Sequence, residues 1–194
     1  MVTGDDFRFG YRGIGDTTFL AELSKKYNFT LEEIKRIRDN DRVISSSYVR
    51  EEVASGNIEK VNRLLGYHYF IIGKISHGNG IGKRVLERPT INIVPPNGKL
   101  IPRFGVYATT VEVLDKSYIG VSNLGIRPTI SEEKKEVRLE THILDFDGDV
   151  YGEWARVNFI KFLRDEKKFS SIEALMQQIE LDVQSTLGLF KMKV

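Results

Sequence analysis

A glycine-rich stretch ahead of a stiff strand could handle phosphate. The sequence "HGNGIGKRVLERPTINI", residues 77 to 93, contains three glycines and a lysine: Gly78, Gly80, Gly82 and Lys83. Glycine lets a backbone approach a ligand and turn its amides toward it, while lysine supplies positive charge. The spacing matches neither the Walker A nor the dinucleotide-binding fingerprint. Taken alone, the stretch therefore still favours a flexible hairpin connection over a phosphate site.

Two polar residues directly after this loop could hold a metal ion. Pro89 keeps the chain extended, and Thr90 and Asn92, two residues apart, then project from one face of a strand. Hydroxyl and amide oxygens are hard, neutral ligands, which suit Mg²⁺ when the anionic ligands come from a substrate's phosphates. The residues alone favour the alternative, a polar pair on the solvated face of an edge strand.

A glutamate further along the chain could serve as a general base. In "EVRLETHILDFDGD" strand alternation puts Glu140 on one face with Arg138 and His142, opposite Leu139 and Thr141. A carboxylate there could take the proton of a substrate hydroxyl, as one does in kinases. Exposed glutamates are common, so a solvated side chain is the alternative. A lone histidine such as His142 is more often a surface or packing residue than a catalyst.

Short strands must position these residues. From Tyr67 onward, six stretches rich in β-branched and aromatic residues alternate with turn signals such as "PPNG" and "DFDGD". The six stretches are "YHYFIIGKI", "TINIV", "GVYATTVEVL", "SYIGVSNL", "EVRLETHIL" and "ARVNFIKFL". Because no helical pattern separates them, they predict an antiparallel barrel or sandwich and not a βαβ fold.

One helix is predicted after the last strand. Ser170 and Glu173 have the spacing of a capping box, which predicts where the helix begins. An apolar stripe at helical spacing would pack on the barrel, and its members are Ile172, Leu175, Met176, Ile179 and Val183. The predicted class is therefore mainly β, with a C-terminal helix.

The first 65 residues have mostly helical patterns. "DTTFLAELSKKYNF" predicts a helix capped by Asp16, and "SSSYVREEVASGNIEKVNRLLG" predicts two short helices that end at Gly66. The segment between them, "TLEEIKRIRDNDRVI", is ambiguous by periodicity. We place a boundary near Gly66, between a small helix-rich segment of residues 1 to 65 and a second domain of residues 66 to 194.

The composition limits the function classes. At 194 residues the chain is long enough for one domain, or for one with a small appendage. With 29 basic and 27 acidic residues, its net charge of +2 argues against a general polyanion-binding surface. A sequence without cysteine has no disulfides and no thiolate chemistry. Without a long apolar run or a signal-peptide core, we expect a cytoplasmic protein that binds neither nucleic acid nor membrane.

Taken together, the motifs resemble the riboflavin kinase module of bacterial bifunctional riboflavin kinase/FAD synthetases. The resemblance covers residues 67 to 187 through five motifs in the family's order. They are "HGNGIGKRVLERPTINI", "GVYA", "GVSNLGIRPTI", "LETHILDFDGDVYGE" and "FLRDEKKFSSIEAL". The resemblance implies a six-stranded antiparallel, Greek-key-like barrel with a C-terminal helix. It also implies transfer of the γ-phosphate of Mg-ATP to the 5′-hydroxyl of riboflavin, which gives FMN.

The resemblance also implies roles for single residues. The family's Pro-Thr-Ala-Asn motif falls on residues 89 to 92, which makes Thr90 and Asn92 the Mg²⁺ ligands, and its glutamate base falls on Glu140. The residues that bind ATP are then Gly78, Gly80, Gly82, Lys83, Pro89, Thr90 and Asn92. The residues that contact the flavin are Asn123, Arg127 and Arg164. Where the family usually has Leu-Gly-Phe/Ile-Pro-Thr, this chain has Glu87 and Arg88 in the middle two positions.

Two stretches of the N-terminal segment, "GDDFRFGYRGIGD" and "ISSSYVREEVASG", resemble the end of the same enzymes' adenylyltransferase domain. In such nucleotidyltransferases the second stretch starts a helix whose N-terminus faces ATP phosphates. That chemistry also needs an upstream His-x-Gly-His motif, and the histidines of this chain are His68, His77 and His142. We therefore expect residues 1 to 65 to be a partial adenylyltransferase domain, and the chain not to make FAD unaided.

Two other function classes stay open. A non-enzymatic flavin-binding barrel would bind riboflavin or FMN with no dependence on Mg-ATP. A nucleic-acid-binding barrel would rest on the basic loop, and its affinity would fall steeply with salt. The kinase is the interpretation that the motifs favour, with riboflavin and ATP as small-molecule partners and a monomer as the expected state.

Overall fold

The computed structural model of the chain describes residues 1–76, 90–128 and 135–191. Backbone contacts divide the chain into two compact units, Met1–Ser46 and Ser47–Val194. This is a boundary in packing, and the functional boundary placed near Gly66 stays a prediction. In the described part of the chain, no helix is long and apolar enough to cross a membrane.

The first unit combines one α-helix with short strands. Helix α1 (Thr17–Lys26) begins after Asp16, whose carboxylate accepts a hydrogen bond from the Phe19 amide at 2.9 Å, so the predicted cap is confirmed. The segment that periodicity left ambiguous forms short strands instead of a helix. The strands of this unit are β1 (Val2–Gly4), β2 (Glu32–Ile34), β3 (Arg38–Asp39) and β4 (Arg42–Val43).

Two short helices lead into the sheet of the second unit. Helix α2 (Ser46–Ser55) and helix α3 (Ile58–Leu65) lie where the sequence predicted them, and α3 ends at Gly66, which has a left-handed φ of 75°. Their buried side chains, Val53 and Ile58 among them, belong to the same apolar core as the strands that follow.

Six strands form the main sheet, and each coincides with a stretch that the sequence predicted. They are β5 (Phe70–Lys74), β6 (Thr90–Ile93), β7 (Gly105–Val113), β8 (Lys116–Pro128), β9 (Lys135–Ile143) and β10 (Trp154–Arg164). They pair in the order β5-β10-β7-β8-β9-β6, with every pair antiparallel. The neighbours are not always consecutive in sequence, which is typical of a Greek-key arrangement.

The two edges of this sheet approach each other. The Ser76 amide donates to the Asn92 carbonyl at 2.8 Å, which links the end of β5 to β6. A Cβ on Gly73 would overlap the side chain of Ile93, so only glycine permits this approach. The sheet therefore curls on itself, and the predicted six-stranded antiparallel barrel is confirmed as a curled sheet.

The inner face of the sheet contains a row of hydroxyls as well as apolar side chains. Thr109 Oγ1 donates to the Gly120 carbonyl at 3.0 Å, and the Ser122 hydroxyl lies 2.8 Å from both Thr109 Oγ1 and Thr141 Oγ1. A hydroxyl has one proton, so Ser122 must donate to Thr109 and Thr141 must donate to Ser122. All three hydroxyls are buried and all three are satisfied.

Helix α4 (Ile172–Lys191) begins at a different cap from the predicted one. Ser171, and not Ser170, accepts the hydrogen bond of the Ala174 amide at 3.2 Å. The pKa of Glu173 lies below its ordinary value because its own backbone amide and the Ser171 hydroxyl hydrogen-bond its carboxylate. The predicted capping-box position was therefore wrong by one residue.

The face that α4 buries includes only part of the predicted apolar stripe, because Leu175, Ile179 and Val183 are half-buried and the other two members are exposed. Ile172 and Met176 are 59% and 47% exposed, whereas Asp182 and Thr186 are buried. The helix packs on β7 and β8. A polar residue therefore lies at the centre of the buried face, and part of the apolar stripe faces solvent.

We predict that Ser122→Ala lowers the free energy of unfolding by about 1–3 kcal/mol, because the buried Thr141 hydroxyl loses its acceptor. Urea denaturation of the two proteins measures the difference. Ser117→Ala is the matched control, because Ser117 is exposed on the same strand and its loss should change stability by no more than about 0.5 kcal/mol. Equal effects of the two substitutions would contradict the role of the hydroxyl row.

Candidate functional site

A cavity of about 390 Å³ lies between the outer face of the sheet and helix α4. We call the face opposite the apolar core the outer face. Strands β6 to β9 form the floor of the cavity, and Leu175 and Ile179 of α4 form part of its wall. Six of the residues singled out in the sequence line this cavity: Thr90, Asn92, Asn123, Arg127, Glu140 and Arg164.

Strand register assembles the floor. Asn92 lies opposite Glu140 in the β6–β9 pair, Glu140 lies opposite Asn123 in the β9–β8 pair, and Asn123 lies opposite Val106 in the β8–β7 pair. Residues opposite each other in an antiparallel sheet share one face. Four strands thus contribute a continuous row of side chains, in which Glu140 lies between Asn92 and Asn123.

A second row lies one step along the strands. Thr90 is opposite His142, and His142 is opposite Val121. Thr90 and Asn92 both line the cavity, as expected for residues two apart, whereas Ile91 between them is buried in the core. The alternation predicted for β9 is confirmed in the same way, because Leu139 belongs to the core and Glu140 lines the cavity.

Glu140 has a charged neighbour inside the cavity. Arg127 Nη2 donates to Glu140 Oε2 at 3.1 Å, and the two side chains are 51% and 29% exposed. Partly solvated pairs of this kind stabilise a fold by about 1 kcal/mol or less. A ligand that needs the Glu140 carboxylate can therefore displace the arginine at small cost.

The two asparagines beside Glu140 have buried polar atoms without partners. Asn92 is 4% exposed, and its Nδ2 has no hydrogen-bond partner among the described residues. Asn123 donates through Nδ2 to Glu166 Oε1 at 3.2 Å, but within the same described ranges its buried Oδ1 accepts from no group. Buried polar atoms are costly when unsatisfied, so among the described residues the row leaves one donor and one acceptor that a bound ligand could use.

The segment after β10 closes the other side of the cavity. Glu166 and Phe169 line it, and the Glu166 carboxylate lies so close over Gly125 that a Cβ there would overlap it. The motif "FLRDEKKFSSIEAL" contains this segment, but only Arg164 was predicted from it as a site residue. The signal that could have found Glu166 is its place in a motif that already contained a selected residue.

Arg164 lies at the junction of the sheet and α4. Its guanidinium donates to both carboxylate oxygens of Asp182, at 3.0 Å from Nε to Oδ1 and 2.7 Å from Nη2 to Oδ2. Asp182 was not selected from the sequence, because an acid within an otherwise apolar helix face has no local signature. The two residues together form the corner where the cavity wall meets its floor.

Five of the ATP-binding residues predicted from the sequence lie outside the described residues. They are Gly78, Gly80, Gly82, Lys83 and Pro89. Their assignment stays a prediction.

The protein's own side chains offer neutral oxygen ligands for a metal at one place in the cavity. Thr90 and Asn92 both line the cavity from β6, and each side chain carries one neutral oxygen. Within residues 1–76, 90–128 and 135–191, no three acidic or histidine side chains cluster as a metal site. The donor set therefore fits a hard cation such as Mg²⁺ only if a ligand supplies the anionic oxygens, as nucleotide phosphates do.

Two family models match the chain. The model described as riboflavin kinase, or flavokinase, matches residues 65–190, which include the whole cavity. The model described as FAD synthetase matches residues 1–48.

Curated relatives match nearly the full chain. The bifunctional riboflavin kinase/FMN adenylyltransferase of Bacillus subtilis is 37% identical over 191 residues, which is 97% of this chain and 60% of the relative. The enzyme of the same name from Pseudomonas fluorescens is 37% identical over 189 residues, again 97% of this chain and 60% of the relative. The chain thus spans 60% of the length of these relatives.

One solved structure has the same fold over most of the chain. The protein is titled a macrolide-efflux protein from Streptococcus pneumoniae, and it superposes with a TM-score of 0.83 at 29% identity. The match covers 94% of this chain and 58% of that protein.

We predict that Asn92→Leu leaves the free energy of unfolding unchanged or raises it by about 1 kcal/mol, because it removes an unsatisfied buried amide. Asn158→Leu is the matched control, since Asn158 is also 4% exposed but donates to Glu112 and Thr110. That substitution should cost about 1–3 kcal/mol. Thermal and urea denaturation measure both, and a comparable loss in the two variants would show that the Asn92 amide is satisfied.

Proposed function

This chain belongs to the riboflavin kinase family, and we propose that it transfers the γ-phosphate of Mg-ATP to the 5′-hydroxyl of riboflavin, giving FMN and ADP. The observation that carries the proposal is the row across β6, β9 and β8. It combines a carboxylate, Glu140, with a donor on Asn92 and an acceptor on Asn123 that have no partner in the part of the chain that the structure describes. A cavity of about 390 Å³ is large enough for part of a nucleotide or a flavin.

Glu140 is proposed as the general base. The ribityl 5′-oxygen attacks the γ-phosphorus, the bond between that phosphorus and the β,γ-bridging oxygen breaks, and the hydroxyl proton passes to the Glu140 carboxylate. Glu140 Oε2 accepts from Arg127, so Oε1 is the oxygen that faces the substrate hydroxyl. Arg127 keeps the carboxylate oriented until the substrate enters.

Thr90 and Asn92 are proposed as the residues that hold Mg²⁺ together with the phosphate oxygens of ATP. They fit this role because they present neutral oxygens and lie beside the base. The cation, when bound, neutralises charge that develops on the phosphates. The predicted ATP contacts of the glycine loop, Gly78 to Pro89, form part of the same proposal.

The flavin is proposed to occupy the α4 side of the cavity. Val106 and Val121 of the sheet and Ile179 of the helix provide apolar surface there for an aromatic ring system. Asn123 and Arg127 supply polar contacts, and Arg164 lies at the corner of the same wall. We further propose that the kinase function resides in residues 66 to 194, which the family match over residues 65–190 supports.

The N-terminal segment is proposed to contribute no FAD synthesis in this chain. Its similarity to the FAD synthetase model covers residues 1–48, and the sequence has no His-x-Gly-His motif. Residues 1 to 65 then represent part of an adenylyltransferase domain without its nucleotide-activating histidines.

Incubation of the pure chain with riboflavin and Mg-ATP, followed by separation of the flavins, tests the proposal. We expect FMN, with no FAD, and no product when magnesium is chelated. Formation of FAD would contradict the account of the N-terminal segment. Binding of riboflavin without turnover at any concentration of Mg-ATP would contradict the kinase and favour a non-enzymatic flavin-binding barrel.

We predict that Glu140→Gln lowers kcat by about two to four orders of magnitude with little change in the KM for ATP, because the amide cannot take the hydroxyl proton. Steady-state kinetics at saturating magnesium measure both constants. Glu153→Gln, at an exposed glutamate just before β10, is the control and should behave like the parent chain. Turnover by Glu140→Gln within a factor of about three of the parent would rule out Glu140 as the base.

A further inference from the structure

Helix α4 buries a carboxylate on the face that forms the cavity wall. Leu175, Ile179 and Asp182 follow helical spacing, share one face of α4 and all line the cavity. Asp182 is 4% exposed. A buried carboxylate among apolar neighbours is costly unless it is paired and hydrogen-bonded.

Asp182 is satisfied by one residue of the sheet and two of its own helix. Arg164 at the end of β10 donates to both of its carboxylate oxygens, and the two side chains are 15% and 6% exposed. Gln178 donates to Oδ1 at 3.1 Å, and the Thr186 hydroxyl donates to the Asp182 carbonyl at 2.8 Å. A bidentate arginine–carboxylate pair fixes the relative orientation of the two side chains as well as the distance between them.

The guanidinium of Arg164 also contacts the segment that follows β10. Nη1 donates to the Asp165 carbonyl at 3.0 Å, and the ring of Phe169 lies 5.8 Å from the guanidinium carbon. Arg164 is thus held by the backbone at the start of the segment that closes the cavity. The ion pair between Arg164 and Asp182 therefore attaches α4 to the end of β10.

This ion pair is better suited to orienting the helix than to stabilising it. A buried ion pair can often be replaced by well-packed apolar residues without loss of stability, because desolvation offsets the attraction between the charges. Leu175 and Ile179 of the apolar stripe lie on the same face as the buried Asp182, whereas Ile172 and Met176 at the start of α4 are exposed. The pair thus adds a directional contact to the apolar packing of this face of the helix.

We propose that Asp182 is a positioning residue for the flavin side of the site. Through its pair with Arg164 it fixes the rotation of α4 against the sheet, and with it the places of Leu175 and Ile179 in the cavity wall. The inference rests on the proposed function, because it assigns the α4 wall to riboflavin and the β6 side to Mg-ATP. Arg164 then serves the flavin site through the helix that it holds.

Asp182→Asn is the first test, because it keeps the size of the side chain and removes its charge. We expect the KM for riboflavin to rise roughly tenfold, with the KM for Mg-ATP unchanged. Glu180→Gln is the matched control, since Glu180 is an exposed carboxylate of the same helix that accepts from Gln184 at 3.1 Å. A riboflavin KM in Asp182→Asn equal to that of the control would overturn the proposal.

The double variant Arg164→Met with Asp182→Leu distinguishes an effect of the ion pair on the orientation of α4 from an effect on the stability of the protein. An apolar pair should fold at least as stably as the parent, and this keeps the test valid if Asp182→Asn unfolds. We still expect a raised riboflavin KM, and the double variant should lose no more than either single variant, because the two residues act as one unit. A parental KM in a stable double variant would overturn the proposal. So would a raised KM in Arg164→Met alone with a normal KM in Asp182→Asn, because Arg164 would then contact the flavin directly.

Amide hydrogen exchange tests the proposed role of Asp182 without depending on turnover. If the pair holds the helix, protection across residues 175 to 186 should fall in Asp182→Asn and not in Glu180→Gln. Unchanged protection in Asp182→Asn would overturn the proposal even if the parent chain made no FMN. Failure of the parent chain to make FMN, with reduced α4 protection in Asp182→Asn, would instead contradict the kinase function while leaving the helix contact supported.

Discussion

The site depends on the register in which β9 pairs with β6 on one side and β8 on the other. That register places Glu140 between Asn92 and Asn123. A slip of one residue would move Glu140 into the core and Leu139 into the cavity, since successive side chains point to opposite faces. The register is held from the inner face, where Leu139 packs in the core and Thr141 bonds Ser122. The same strand pairing therefore determines both the core packing on the inner face and the candidate site on the outer face.

Patterns of neighbouring residues in the sequence predicted where the strands lie and which face of a strand each residue occupies. The six strands were recognisable because β-branched and aromatic residues alternate between turn signals, and the same alternation correctly placed Glu140 away from the core. The order of the strands in the sheet could not be predicted from these local patterns. β6 and β9 are far apart in sequence, so composition and spacing could not bring Asn92 beside Glu140. Only the joint resemblance of several motifs indicated that these residues belong to one site.

The buried face of α4 was predicted only in part, because it includes a tertiary contact. The apolar stripe of α4 predicted that Ile172 and Met176 would face the sheet, but both are exposed, and the buried face contains Asp182 in its pair with Arg164. The two partners are 18 residues apart, on different elements, and no local rule connects them. The cap at Ser171 was missed for a smaller reason, because two consecutive serines fit the same pattern and only backbone geometry distinguishes them.

The hydrogen bonding of buried polar groups differs between the inner and outer faces of the sheet. On the inner face, the hydroxyls of Thr109, Ser122 and Thr141 satisfy one another and a backbone carbonyl. On the outer face, Asn92 Nδ2 and Asn123 Oδ1 have no partner within the described ranges, and both flank Glu140. Burial alone does not explain this, because Asn158 is as buried as Asn92 and is bonded by its neighbours. A sheet that satisfies its inner-face hydroxyls but leaves these two atoms beside Glu140 without a partner in the described ranges gives up stability there, which is expected where a ligand completes the hydrogen bonds.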